Sequence, residues 1–289
     1  MLVIKPIIPA IALGLLLMSA SSGRSLTASH ETAFTVELAR MDNPQQAKQL
    51  FERAIQIARK IEDKPEKTRV LSDIALHLAQ AGQTQRSKQL FDEAIKLSRA
   101  TSKYASEQYY EEEALRDTIT KIARSGQSQY ALQIARSLRS KLSKAEALND
   151  ITTVLLEAGQ KDLAQKTLSE SLNLAQSITE DDNSAYQANG SCANYKFAVL
   201  SKIAGNLSLT AQLDRGLKVA SQVESCSSGI GESGEDYQTW AYLGILGHLG
   251  KIEQLQQTWQ SARSISQNIE KANVGSAIAV KSIEMGNKD

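Results

Sequence analysis

Cysteine is almost absent from this sequence, proline is scarce, and aromatic side chains account for only 5% of its 289 residues. The two cysteines, Cys192 and Cys226, stand too far apart to form a Cys-x-x-Cys redox pair. Four prolines leave little to interrupt helices over such a length. An excess of one charge is also missing: 33 Lys and Arg face 32 Asp and Glu, a formal net charge of +1. No global field would therefore draw in nucleic acid or an anionic membrane. Histidine occurs three times, at His30, His77 and His248, without metal-ligand spacing. Gly-x-Ser-x-Gly is missing, and no Ser/His/Asp set is suggested by spacing.

What the sequence has in quantity is Ala, Leu, Gln, Ser, Lys and Glu, with 42% hydrophobic residues. That mixture can bury a core and favours helix over strand, so the expected class is all-α. An apolar run from Ile7 to Met18, broken by Pro9 and Gly14, follows Lys5 and precedes the small residues Ser19, Ala20, Ser21, Ser22 and Gly23. This is the order of a secretory signal peptide, with cleavage expected after Ala20, Ser22 or Gly23. A spanning helix needs about 20 apolar residues, more than this core supplies, so no stable membrane insertion is expected once residues 1–23 are removed. No cysteine follows the run, which favours a soluble exported product, periplasmic or extracellular, over a lipid-anchored one. Residues 24–30 read as a disordered N-terminal segment and 31–289 as the folded domain.

Within that domain a short phrase recurs: Ala81-Gly82-Gln83, Ser125-Gly126-Gln127, Ala158-Gly159-Gln160, Leu249-Gly250-Lys251 and Met285-Gly286-Asn287. Each reads as a helix stop in which glycine adopts the left-handed conformation. Weaker copies without glycine lie around Asp42 and Ala211. Lys48-Gln49-Leu50-Phe51 with Ala54-Ile55 is restated as Lys88-Gln89-Leu90-Phe91 with Ala94-Ile95, which marks a duplication. Apolar residues keep helical spacing before the turns, as in Leu71, Ile74, Ala75 and Leu78, and again after them, as in Leu163, Ala164, Leu168 and Leu172. Each unit is thus an antiparallel helix pair, and such pairs bury their apolar faces only by stacking. Pairs are expected near 31–61, 66–100, 107–140, 143–179, 194–224 and 236–269, with a capping helix near 271–285.

These units resemble the tetratricopeptide repeat family. Its signature sets a small residue seven positions before the turn, then small, large and small residues five, nine and twelve positions after it. Around Gly82 those places hold Ala75, Ser87, Phe91 and Ala94, and around Asp42 the later three are Ala47, Phe51 and Ala54. Around Gly126 they are Ile119, Ala131, Ala135 and Leu138; around Gly159, Thr152, Ala164, Leu168 and Ser171; around Gly250, Leu243, Leu255, Trp259 and Ala262, all partial matches. The family's closing proline is missing, and intervals between turns run from 33 to 52 residues. The resemblance implies a right-handed α-solenoid of stacked antiparallel hairpins over roughly residues 31–289. It also implies a non-catalytic scaffold, without cofactor, that holds a protein or peptide in a concave groove.

Cys192 lies just before the first helix of the fifth expected pair and Cys226 just after its second. In an antiparallel hairpin those ends meet, since about 16 helical residues each way travel a similar distance of about 24 Å. A disulfide between them is expected in an oxidising compartment, against the alternative of two free buried thiols. The acidic runs Glu111-Glu112-Glu113 and Glu180-Asp181-Asp182 read as solvated charge. Gly229, Gly231 and Gly234 follow no strand, which removes a nucleotide-binding reading. Asn189-Gly190-Ser191 and Asn206-Leu207-Ser208 fit the glycosylation triplet.

In a repeat solenoid the first helices line the concave side, and residues ten, six and three positions before each turn lie beside the packing stripe. Here the expected groove residues are Ser72, Leu76, Ala79, Arg116, Thr120, Asn149, Thr153, Leu156, Ser201, Trp240 and Gly244, with Trp240 and Arg116 as anchors. The alternative for Trp240 is that it merely caps the core. Two other functional readings stay open at this point: a small-molecule binder or enzyme using the loops around Cys192 and Cys226, and an assembly module. The oligomeric state stays open as well.

Overall fold

The computed structural model describes residues 44–99, 105–179, 195–223, 237–265 and 268–286. These residues form twelve helices and no strand: α1 (Pro44–Arg59), α2 (Lys64–Gln80), α3 (Thr84–Ser98), α4 (Ala105–Arg124), α5 (Ser128–Arg136) and α6 (Lys141–Glu157), followed by α7 (Lys161–Gln176), α8 (Tyr195–Leu209), α9 (Leu213–Gln222), α10 (Tyr237–Leu246), α11 (Ile252–Ala262) and α12 (Asn268–Gly286). The helix expected before α1 and the two long connectors, with Cys192 and Cys226, lie outside the described residues.

The helices stack as pairs, α2 with α3, α4 with α5, α6 with α7, α8 with α9 and α10 with α11. The first helices touch in an unbroken row, α2 to α4, α4 to α6, α6 to α8, α8 to α10 and α10 to α12. Each second helix packs on its own partner and against the next first helix, while close backbone approach between second helices is sustained only at α9 and α11. The first helices therefore occupy the shorter, inner side of the stack, as in an α-solenoid.

Four of the turns inside pairs are built identically. Gln83, Gln127, Gln160 and Gln212 each donate their backbone N–H to the carbonyl five residues back, at 2.8–3.2 Å. The preceding residue, Gly82, Gly126, Gly159 or Ala211, donates to the carbonyl three residues back and has φ of +60° to +85°. This double closure satisfies the orphaned carbonyls at the end of the first helix. The turn at Gly250 departs from the expected pattern. There α10 stops at Leu246, Gly250 does not take a positive φ, and the Gln254 side-chain oxygen accepts from the backbone N–H groups of Gly250 and Lys251 at 3.2 and 3.1 Å. Capping of α11 by its own side chain replaces the left-handed glycine.

Small residues on the repeat pattern mark where helices cross. Ala75, Ser87, Phe91, Ala94, Thr152, Ala164, Leu168 and Ser171 are all fully buried. Gly216, five positions after Ala211, shows why that place stays small: a Cβ there would lie 2.9 Å from the carbonyl oxygen of Ala204 on the paired helix. Apolar burial supplies the adhesion, about 1.5–3 kcal/mol for each large side chain fully removed from water. Second helices are also linked along the outer side. Arg59 bonds Glu93 and Arg136 bonds Glu170, both at 2.7 Å and both across 34 residues, and Glu52 pairs with Arg86 across the same interval.

Candidate functional site

The inner row of first helices is cross-braced by polar side chains at each step as far as α8. Between α2 and α4, Lys121 Nζ lies 2.5 Å from Asp73 and 2.6 Å from Asp117, while Arg69 bonds Glu113 at 3.0 Å. Between α4 and α6, Arg116 pairs with Glu146 and stands 3.8 Å from Asp150, and the Ser143 hydroxyl donates to Glu112. Between α6 and α8, Asn206 Nδ2 donates to Asn149 Oδ1 at 2.9 Å and to the Thr153 hydroxyl at 3.1 Å, with Lys202 3.9 Å from Glu146.

Burial perturbs this seam. It raises the Asp73 carboxyl above its ordinary value, partly offset by Lys121. It likewise raises Asp150, with Lys202 and Arg116 opposing. It lowers His77, where the Asp73 charge opposes and Lys121 adds to the effect; His77 Nδ1 is buried without a hydrogen-bond partner among the described residues. The chemistry is that of mutual neutralisation between neighbouring helices, since opposite charges a few ångströms apart satisfy one another.

Beyond α8 the row changes character. α8 and α10 approach so closely that a Cβ on Gly205 would sit 3.3 Å from the carbonyl carbon of Gly244. Next to this backbone contact Trp240 is 50% exposed and Leu243 is 38% exposed, while Tyr237 is buried and meets the indole edge-on at 5.4 Å between ring centroids. The exposed side of α10 thus carries a propped aromatic and an aliphatic residue, with no charge.

The expected groove residues divide accordingly. Ser72, Asn149 and Ser201 are buried between neighbouring helices, with the Ser72 hydroxyl bonded to the Arg69 carbonyl and that of Ser201 to the Ala198 carbonyl. Leu76, Ala79, Thr120, Thr153 and Leu156 are half-buried, the Thr120 hydroxyl donating to the Arg116 carbonyl. Arg116 is engaged with Glu146, and Gly244 forms the close contact with α8. Trp240 alone of the set presents a large exposed side chain. Sequence spacing missed the partners that occupy these positions, Asp73, Lys121, Glu146 and Asn206, because charge and amide pairing across 30 to 60 residues leaves no local periodic signal. Asn206 is buried and bonded to Asn149, which withdraws that glycosylation triplet from the folded surface. A shallow polar recess lined by Asp162, Gln165, Lys166, Ser169, Glu170 and Asn173 draws on the outer face of α7 alone. Among the described residues no group of His, Cys, Asp or Glu is arranged to hold a metal ion, and no helix is long and apolar enough to cross a membrane.

Stacked antiparallel helix pairs, a row of first helices along one side and repeated left-handed turns define a helical repeat protein. Residues 36–100, which include α1 to α3, match the tetratricopeptide repeat model, so this part of the chain is tetratricopeptide-like. No curated protein matches the chain at a significant level. Among solved structures, that of Ton1535 from Thermococcus onnurineus NA1 is similar, with 16% identity over 88% of this chain and 81% of that one and a TM-score of 0.36.

Proposed function

We propose that the chain is a non-catalytic scaffold, exported by its N-terminal segment, which holds a protein or peptide partner along its row of first helices. Tetratricopeptide repeats generally mediate contacts between proteins, which supports the coarse reading. The observation that carries the finer one is Trp240, half-exposed yet fixed by Tyr237 and set beside Leu243 on α10. A large aromatic held in one orientation binds with little loss of side-chain freedom. Arg116 contributes less, because a ligand carboxylate would have to displace Glu146 from it. The anchoring role therefore moves toward the C-terminal half of the row. A disulfide between Cys192 and Cys226, closing the α8–α9 hairpin, belongs to the same reading of an exported chain.

Retention of partners from the native exported compartment by the purified chain, compared with its Trp240→Ala variant, tests the groove. Retention should fall with the indole, and a variant that recovers the same partners in the same yield would remove α10 from the binding surface. Intact mass with and without reductant tests the hairpin closure, where a 2 Da increase on reduction is the expected result.

A further inference from the structure

We infer that α12, with the adjoining face of α11, is a docking surface for a second copy of this chain, the two α12 helices packing antiparallel. Helices α4, α6, α8 and α10 are each covered from both sides, by the pair before them, by their own second helix and by the next first helix. Among the described residues, α12 makes sustained contact with α10 and α11 alone. It is a first helix supported from one side.

The repeat positions show what this leaves open. Seven residues before the four left-handed turns, Ala75, Ile119, Thr152 and Ala204 are fully buried, whereas the same place before Gly286 holds Ala279, which is exposed. Nine residues after the earlier turns, Phe51, Phe91, Ala135, Leu168 and Ala220 are buried. The equivalent Trp259 is 37% exposed and lies at the edge of α12, its Cζ3 standing 3.2 Å from where a Cβ on Gly275 would be. Val280 and Ile283 are 55% and 65% exposed. With the exposed Ala272, Ser276 and Ala279 they fall within about 100° of one another around the helix, the width of a stripe that ordinarily faces a core. Lys281 and Glu284 lie off this stripe, 3.8 Å from each other, and leave it uncharged. A terminal unit that only capped the stack would turn a polar face outward.

The order of side chains along the stripe selects the occupant. Its first half is small, with Ala272, Ser276 and Ala279, and its second half is large, with Val280 and Ile283. An identical helix laid antiparallel sets Ile283 of one copy against Ala272 of the other, and Val280 against Ser276, in a single register about a two-fold axis. Large then meets small at every step, the arrangement that fills a helix contact without voids. A parallel copy would set large against large. The surface also extends an interface the chain already uses, the row of first helices in which α10 packs on α12.

Sedimentation velocity of the purified chain from about 1 to about 200 µM tests the pairing, and a monomer–dimer equilibrium is the expected result. Its dissociation constant should rise about tenfold or more in V280E/I283E, which carries two acids from each copy into the contact, and stay unchanged in Trp240→Ala. Both substituted positions face solvent, so V280E/I283E should melt within about 2 °C of the parent at the lowest concentration. Orientation is read separately. An equimolar mixture of Ala272→Cys and Ile283→Cys chains should, on oxidation, yield a link between copies that peptide mass places at those two positions, while neither chain alone forms one there. A dimer unaffected by V280E/I283E, or a link joining position 272 to its own counterpart, overturns the inference. So does a monomer at every concentration, whether hydrogen exchange then shows α12 covered by another segment of the chain or the monomer floats with phosphatidylcholine vesicles.

Discussion

At the scale of single residues, the four left-handed turns provide an internal experiment, because three use glycine and one uses Ala211 at φ +60°. A side chain in that conformation costs about 1–2 kcal/mol, while glycine restores about 0.4–1 kcal/mol of entropy to the unfolded chain. The first effect is larger, so Ala211→Gly should stabilise the chain by about 0.5–1 kcal/mol, read from the urea midpoint at constant slope. An unchanged or lower midpoint would mean that the α8–α9 turn relaxes around its alanine. Gly216→Ala should act in the opposite sense. Alanine gains about 1 kcal/mol of helix propensity, but its Cβ meets the Ala204 carbonyl at 2.9 Å, and overpacking against backbone costs about 1–3 kcal/mol. The expected result is a net loss of about 1 kcal/mol, and a gain would show that α8 and α9 separate freely. The turns were legible in sequence because a left-handed residue restricts chemistry locally, so Gly82, Gly126 and Gly159 announced themselves. Gly250 misled for the same reason: a glycine marks permission for a positive φ, and the Gln254 cap removed the need for one.

At the scale of elements, the step between α2 and α4 couples packing to protonation. His77 titrates below its ordinary value when folded, mainly through burial, so the folded state binds that proton less readily than the unfolded chain. Stability is thus fully present above about pH 6.5, the unfolded value, and declines as the pH falls from there toward the lowered folded value. Asp73 has the opposite sign. Its folded carboxyl is raised, so protonation at lower pH favours the folded state and offsets part of the histidine loss. Unfolding free energies of parent and His77→Gln measured between pH 7.5 and 5 should diverge in slope below pH 6.5, the parent losing more. Parallel curves would place the lost stability elsewhere. Between α6 and α8 the amide pair makes a second test. Asn206→Ala leaves buried Asn149 Oδ1 without its donor and should cost about 1–3 kcal/mol, whereas Asn149→Leu with Asn206→Leu should cost less than the two single changes added together. Helix pairing was readable from apolar periodicity, since each stripe lies within one helix. The bracing of the inner row was not: Asn149 and Asn206 are 57 residues apart, and nothing in either helix alone says that its polar face meets another.

At the scale of the whole molecule, the apolar interior divides into two connected bodies that meet in the α6–α7 pair. Phe51, Phe91, Ile119, Leu148 and Leu155 belong to the first, and Leu142, Leu168, Ile203, Tyr242 and Val274 to the second. Helix α6 contributes to both, Leu148 to one and Leu142 to the other, and polar contacts from Glu146 and Asn149 carry the join onward to α8. In a stack where each pair touches only its neighbours, stability is a sum of local terms, so damage to one body reaches the other through the shared α6–α7 pair. Tyr242 is fully buried and its hydroxyl bonds Ser261 at 3.0 Å; Tyr242→Ala should cost about 3–5 kcal/mol, most of it within α8 to α12. Hydrogen exchange resolved by mass spectrometry should then show lost protection across α8, α10 and α12 with α2 and α3 close to the parent. If α2 and α3 lost protection equally, the chain would unfold as one cooperative unit, and the α6–α7 pair would transmit the full loss instead of confining it. Confinement has a functional consequence for the proposed groove. Trp240 stands on the body that Tyr242 supports, so the groove can weaken while α2 and α3, packed in the other body, keep their shape. Partner retention through Trp240 should therefore fall in Tyr242→Ala while the hydrogen-exchange protection of α2 and α3 holds.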